Sequence, residues 1–175
     1  MTALTDEQKR IRGYLEAQGA KLTPAAIVEK VREAMARLRA AAVAVPAARF
    51  SEAPAPGEWS ANEVMAHVVQ AGRHFGEGIV SALDGRSPGE RRHGDERPAV
   101  PSHTAGEWLA MLDREREALF DRALRADPTA HLQQSISHGF FGLLNWRETL
   151  LFIRVHDIDH AGQLEQIAAS LGSRA

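Results

Sequence analysis

Two histidines one helical turn apart, His156 and His160, stand in the stretch RVHDIDHAGQLEQI from Arg154 to Ile167. On a helix this spacing sets the imidazoles about 40° apart on one face, where they can share a metal ion. The chain has no cysteine, so a metal site here must use nitrogen and oxygen ligands, and thiol chemistry must bring its thiol from outside. Eight histidines among 175 residues make one such pair a fair product of composition, and it needs support from elsewhere in the chain. The metalloprotease signature fits poorly. It needs a glutamate after the first histidine as general base, whereas Asp157 is one methylene shorter and about 100° round the helix from His156. Asp157 and Asp159 read instead as carboxylates behind the ligands or at the surface, with Asp159, about 60° from His156, the better placed.

The elements that must hold these residues are helices. Periodicity and caps predict helix almost throughout, with no convincing alternating strand and no internal repeat. A short helix starting at Thr5 carries Ile11, Tyr14 and Leu15. A second starts with Thr23 as cap and Pro24 at its first position, and Ile27, Val31, Met35, Leu38, Ala42 and Val45 form its core stripe. Capping boxes SANE (Ser60 to Glu63) and TAGE (Thr104 to Glu107) open two more, and NWRE (Asn145 to Glu148) opens the last. These run to about Leu83, to before Asp127 and Pro128, and to Leu171 with Gly172 as C-terminal cap. Between Leu83 and Thr104 lies a Gly-, Pro- and charge-rich segment, DGRSPGERRHGDERPAVPS. It is long enough to carry the chain the length of a bundle, so the helices it joins need not be antiparallel. The expected architecture is all-α: four long helices with a long crossover, forming a domain over 23–175, after a helical extension over 1–22.

On the last helix Phe152, Ile153, Leu164, Ile167 and Leu171 lie within about 80° of His156, so both imidazoles point into the bundle. His67 sits at the border of the Val64, Val68, Ala71, Phe75 stripe and can face inward too. Three imidazoles aimed at one interior are hard to satisfy by hydrogen bonds alone. A metal ion resolves this, with the pair on one helix and His67 from another completing a set that leaves positions open for water or substrate. Hydrogen-bonded core histidines are the alternative.

Composition sets the bounds. One chain of this size buries a core without staples. With 44% hydrophobic and 25% charged residues and a net charge of −2, nothing calls for nucleic acid or an acidic membrane surface. No apolar run is long enough for a bilayer span, and the polar opening MTALTDEQKR has no secretory signal pattern. With the lack of cysteine, this leads to the expectation of a cytoplasmic protein.

In GEWSANEVMAHVVQ and VHDIDHAGQLEQI the chain resembles the DinB-like superfamily of metal-dependent hydrolases and mycothiol- or bacillithiol-dependent transferases. The matching positions are Trp59, His67, His156, His160, Gly162 and Gln163, within a resemblance from about Thr23 to Leu171. It implies a four-helix bundle in up-down-down-up order, with a divalent metal on His67, His156 and His160 and Gln163 as a cofactor-binding position. The reaction is not implied with it, because a fold does not fix a function.

A divalent ion on three neutral imidazoles keeps its full charge and acidifies a bound water or thiol. The expected activity is therefore hydrolysis of a small-molecule substrate, or transfer of a low-molecular-weight thiol to one. Zinc or nickel come first as the metal, with iron or copper next. Glu63, one turn before His67, is the candidate catalytic carboxylate, beside its plainer reading as part of the capping box. Gln70 and His74 extend the His67 face as a polar border or pocket lining. His93 and His103 read as solvated. Phe140, Phe141 and Trp146, in the stretch flanked by His131 and His138, read as closing one end of the bundle. The rival from another class is a non-catalytic, metal-stabilised bundle that binds a partner or forms a homodimer.

Overall fold

The computed structural model describes residues 4–87 and 101–172. Its elements are α1 (Asp6–Lys21), α2 (Pro24–Ala44), a 3-10 turn (Ala47–Arg49), α3 (Ala61–Leu83), α4 (Ala105–Arg125), a hairpin of β1 (Ile136–His138) and β2 (Gly142–Leu144), and α5 (Trp146–Gly172). Each expected N-terminal cap forms. Thr5, Thr23, Ser60 and Thr104 accept from backbone N–H groups of the first turns they precede. Asn145 and Glu148 exchange hydrogen bonds at the start of α5, with Asn145 N donating to Glu148 Oε2 at 2.9 Å and Glu148 N to Asn145 Oδ1 at 3.1 Å.

Paired side chains fix the helix directions. Asn62 meets Trp108, Arg73 meets Glu115 and Gly76 faces Leu119, so numbers rise together and α3 runs parallel to α4. Leu22 meets Arg147, Arg37 meets Glu165 and Arg49 meets Leu171, so α2 and α5 are parallel as well. Arg32 with Glu117 and Arg39 with Asp113 set α2 against α4. The order is up-down-down-up, which requires a crossover between α3 and α4. Most of that crossover, including His93, lies outside the described residues. Its far end is tied to the head of α3 by Asn62, whose Oδ1 accepts from Trp108 Nε1 (2.8 Å) and His103 N (3.0 Å) and whose Nδ2 donates to the Pro101 carbonyl (3.2 Å).

Three expectations are corrected. The hairpin pairs Ile136 with Leu144 and His138 with Gly142; strands of three residues are too short to show alternation. Phe141 and Trp146 are buried as expected, but Phe140 is 47% exposed, because it sits in the hairpin turn. His103 is half-buried, edge-on to Trp108 with ring centroids 4.7 Å apart, instead of solvated.

The N-terminal helix shares the bundle's core. Leu15 is fully buried among residues of α2, α3 and α5, and Gly19 packs against Glu148 of α5, where a Cβ would stand 3.0 Å from its Cγ. Arg12 Nη1 donates to the Phe141 carbonyl (2.6 Å) and Arg154 Nη1 to Tyr14 Oη (3.2 Å), fastening α1 to the hairpin and to α5.

The core divides into two apolar halves. One holds Ile27, Val31, Phe75, Ile79, Phe120, Leu150 and Phe152 with their neighbours; the other holds Leu38, Val64, Val68, Trp108, Leu164, Ile167 and Leu171 with theirs. On α5 the segment from His156 to His160 lies between the residues of the two halves. That waist is polar.

Candidate metal centre

The three histidines meet at the waist. His67 comes from the second turn of α3 and is 7% exposed, while His156 and His160 come from the middle of α5 and are half-buried. Ring centroids lie 5.1 Å apart for His67 and His156, 4.9 Å for His67 and His160, and 4.4 Å for His156 and His160. One ring nitrogen from each falls within 4.8 Å of the others, and the three could hold a metal ion. His67 Nε2 and His156 Nε2 are 3.1 Å apart, close to the roughly 3.3 Å between two nitrogens at zinc–imidazole bond lengths and a tetrahedral angle. The donor set therefore fits a divalent transition metal.

The surroundings orient the rings. His160 Nδ1 lies 2.9 Å from Gln163 Oε1. An amide oxygen only accepts, so Nδ1 carries the hydrogen and Nε2 keeps its lone pair for a metal. Burial, and next the neighbouring His156, hold the His160 imidazole below the usual histidine range, against the Gln163 hydrogen bond and the charges of Asp159 and Asp157. A neutral imidazole is the form that binds a metal. Trp59 stands edge-on to His67 with ring centroids 5.4 Å apart.

Asp157 and Asp159 exchange the roles expected of them. Asp159 is exposed, whereas Asp157 is 0% exposed and paired with Arg116, itself 2% exposed, with Nη2 3.0 Å from Oδ1. Asp157 lies on the line Leu150, Ile153, Asp157, Ala161, Leu164, and all five are buried. Arg116 likewise falls in the α4 stripe Leu112, Arg116, Leu119, Ala123. Helical spacing carried both signals, masked because a charged residue reads as surface.

Of the other candidates, Glu63 forms the capping box: its Oε2 accepts from Ser60 N and Ser60 Oγ, both at 2.8 Å. Gln70 is exposed, and His74 is half-buried with its ring edge-on to Phe75. His138 is buried among Phe75, Phe141 and Phe152, and its Nδ1 accepts from the backbone N–H groups of Phe140 and Phe141. A cleft of about 480 Å³ opens beside the histidines, lined by Pro54, Glu58, Trp59, Gln163, Gln166, Ile167 and Ser170. Two of its walls, Trp59 and Gln163, are the residues that contact His67 and His160. Among the described residues no helix is long and apolar enough to cross a membrane.

Comparison with known proteins agrees with the four-helix fold. The solved structure of TT2238, described as a four-helix bundle protein, is 22% identical over 82% of this chain and 99% of its own, with a TM-score of 0.63; the likeness is one of fold. No curated protein matches the chain. The sequence profile of the DinB superfamily matches residues 30–164, and the chain belongs to that superfamily.

Proposed function

We propose that this member of the DinB superfamily is a divalent-metal-dependent enzyme acting on a small molecule, by hydrolysis or by transfer of a low-molecular-weight thiol. The observation that carries the reading is the convergence of His67, His156 and His160 beside a cleft walled by Trp59 and Gln163. A divalent ion held there would supply a Lewis acid that acidifies a water or thiol. The chain's own residues do the rest. The two apolar halves of the core keep bulk water from the inner side of the histidines. Gln163 holds His160 with Nε2 turned to the centre. Trp59, Gln166 and Ser170 offer a ring face or edge and hydrogen-bonding groups to a ligand in the cleft.

The reading is tested by loading the protein with zinc or nickel and screening ester, amide and carbon–halogen electrophiles, with and without added thiols. Turnover that needs the metal and disappears in His160→Ala supports it. Metal binding that raises thermal stability with no turnover on any substrate favours a metal-stabilised bundle instead.

A further inference from the structure

We propose that Asp157, buried in its ion pair with Arg116, sets the tautomer of His156 and is a positioning residue that turns His156 Nε2 toward the three-histidine centre. Arg116 Nη2 reaches both carboxylate oxygens, at 3.0 and 3.4 Å, and Asp157 Oδ1 stands 3.7 Å from His156 Nδ1. A nitrogen lone pair facing a carboxylate oxygen at that distance is repelled, whereas an N–H is attracted. The carboxylate therefore selects the Nδ1–H form of His156. The far side of the ring is consistent with this, since His156 Nε2 then has a lone pair to accept from His67 Nε2 at 3.1 Å. His156 and His160 thus present the same ring nitrogen, one held by Asp157 and the other by Gln163.

The pair's setting favours this role over plain stability. A buried ion pair is often no more stabilising than apolar residues of the same shape. This one is set where two apolar halves meet, and α3 makes room for it at Gly72, where a Cβ would stand 2.9 Å from Arg116 Nη1. Any effect on metal affinity rests on the metal reading above; the tautomer is a property of the metal-free protein and does not.

The test is a long-range 1H–15N correlation spectrum of the metal-free, full-length protein at mildly alkaline pH, with each histidine assigned by substitution to glutamine. His156 is expected as Nδ1–H in the unsubstituted protein. In Asp157→Asn it shifts toward Nε2–H while His160 stays Nδ1–H, and zinc affinity falls about 10- to 100-fold. Arg116→Gln keeps the carboxylate, so stability drops but His156 remains Nδ1–H. Should Asp157→Asn fail to fold, the pairwise change Arg116→Met/Asp157→Leu removes both charges together and is expected to release the tautomer in the same way. His156 found as Nε2–H in the unsubstituted protein overturns the proposal. So does a tautomer unmoved by loss of Asp157, or one that moves with zinc affinity unchanged. A protein that binds no zinc but shows the expected tautomers leaves Asp157's role standing and counts against the metal reading alone.

Discussion

Gly72 of α3 lies against the guanidinium of Arg116 from α4: a Cβ built there would meet Nη1 at 2.9 Å, Nη2 at 3.1 Å and Cζ at 3.2 Å. The arginine cannot swing aside cheaply, because it is buried and bonded to Asp157. Gly72→Ala is therefore expected to destabilise by about 1–3 kcal/mol, as overpacking does, despite the better helix propensity of alanine. Gly13→Ala at an exposed position of α1, where nothing lies within 4 Å, is the control and should stabilise by about 0.5–1 kcal/mol. Urea unfolding of the two variants decides; equal effects would mean the guanidinium does not need the glycine.

Breaking the buried pair on one side should cost more than removing both charges. Arg116→Met leaves Asp157 without its partner and is expected to lose about 3–5 kcal/mol, whereas Arg116→Met/Asp157→Leu should recover most of that loss. Chemical denaturation of the metal-free proteins measures the difference, and a double variant no more stable than Arg116→Met would contradict it.

Stability should depend on pH through His160. Its folded-state titration is pushed down, by burial first and by His156 second. At a pH between that lowered value and the ordinary one of about 6.5, the unfolded chain binds more protons at this site than the folded protein. Stability therefore rises with pH: the contribution is fully present above the ordinary histidine value and is lost as pH falls toward the lowered one. Urea midpoints from about pH 8 down to about pH 5 should fall more steeply for the metal-free wild type than for His160→Gln. Parallel curves would remove His160 as the source.

Gln163 should act through His160. With Gln163→Ala the Nδ1–H partner at 2.9 Å is lost, and metal affinity is expected to fall about 10- to 100-fold with little change in fold. Competition against a chelator reads this directly, and an unchanged affinity would show that the amide has no hold on the ring.

Much of this is legible in the amino-acid sequence, and the gaps have physical reasons. Helix ends were readable because Thr5, Thr23, Ser60 and Thr104 cap through local chemistry. His67, His156 and His160 were readable because each falls on or beside the apolar stripe of its own helix. The hairpin was not, since three-residue strands leave no period and its pairing depends on a Gly142 backbone at φ 74°. Asp157 escapes a reading from the His156 face of α5 alone, because residues of α1, α2, α3 and α4 all join the bundle's interior. A helix covered on so many sides buries residues well away from one face. The partner that makes burial of Asp157 tolerable, Arg116, is 41 residues away in sequence, and no local pattern connects the two.

The most direct test of the central claim is elemental analysis of untagged protein, after purification and after incubation with zinc or nickel, beside His67→Ala and His156→Ala/His160→Ala. The account predicts about one equivalent of a transition metal per chain in the wild type and its loss in both variants, which still fold. A wild type that remains folded and metal-free after incubation, or variants that retain the metal, would contradict it.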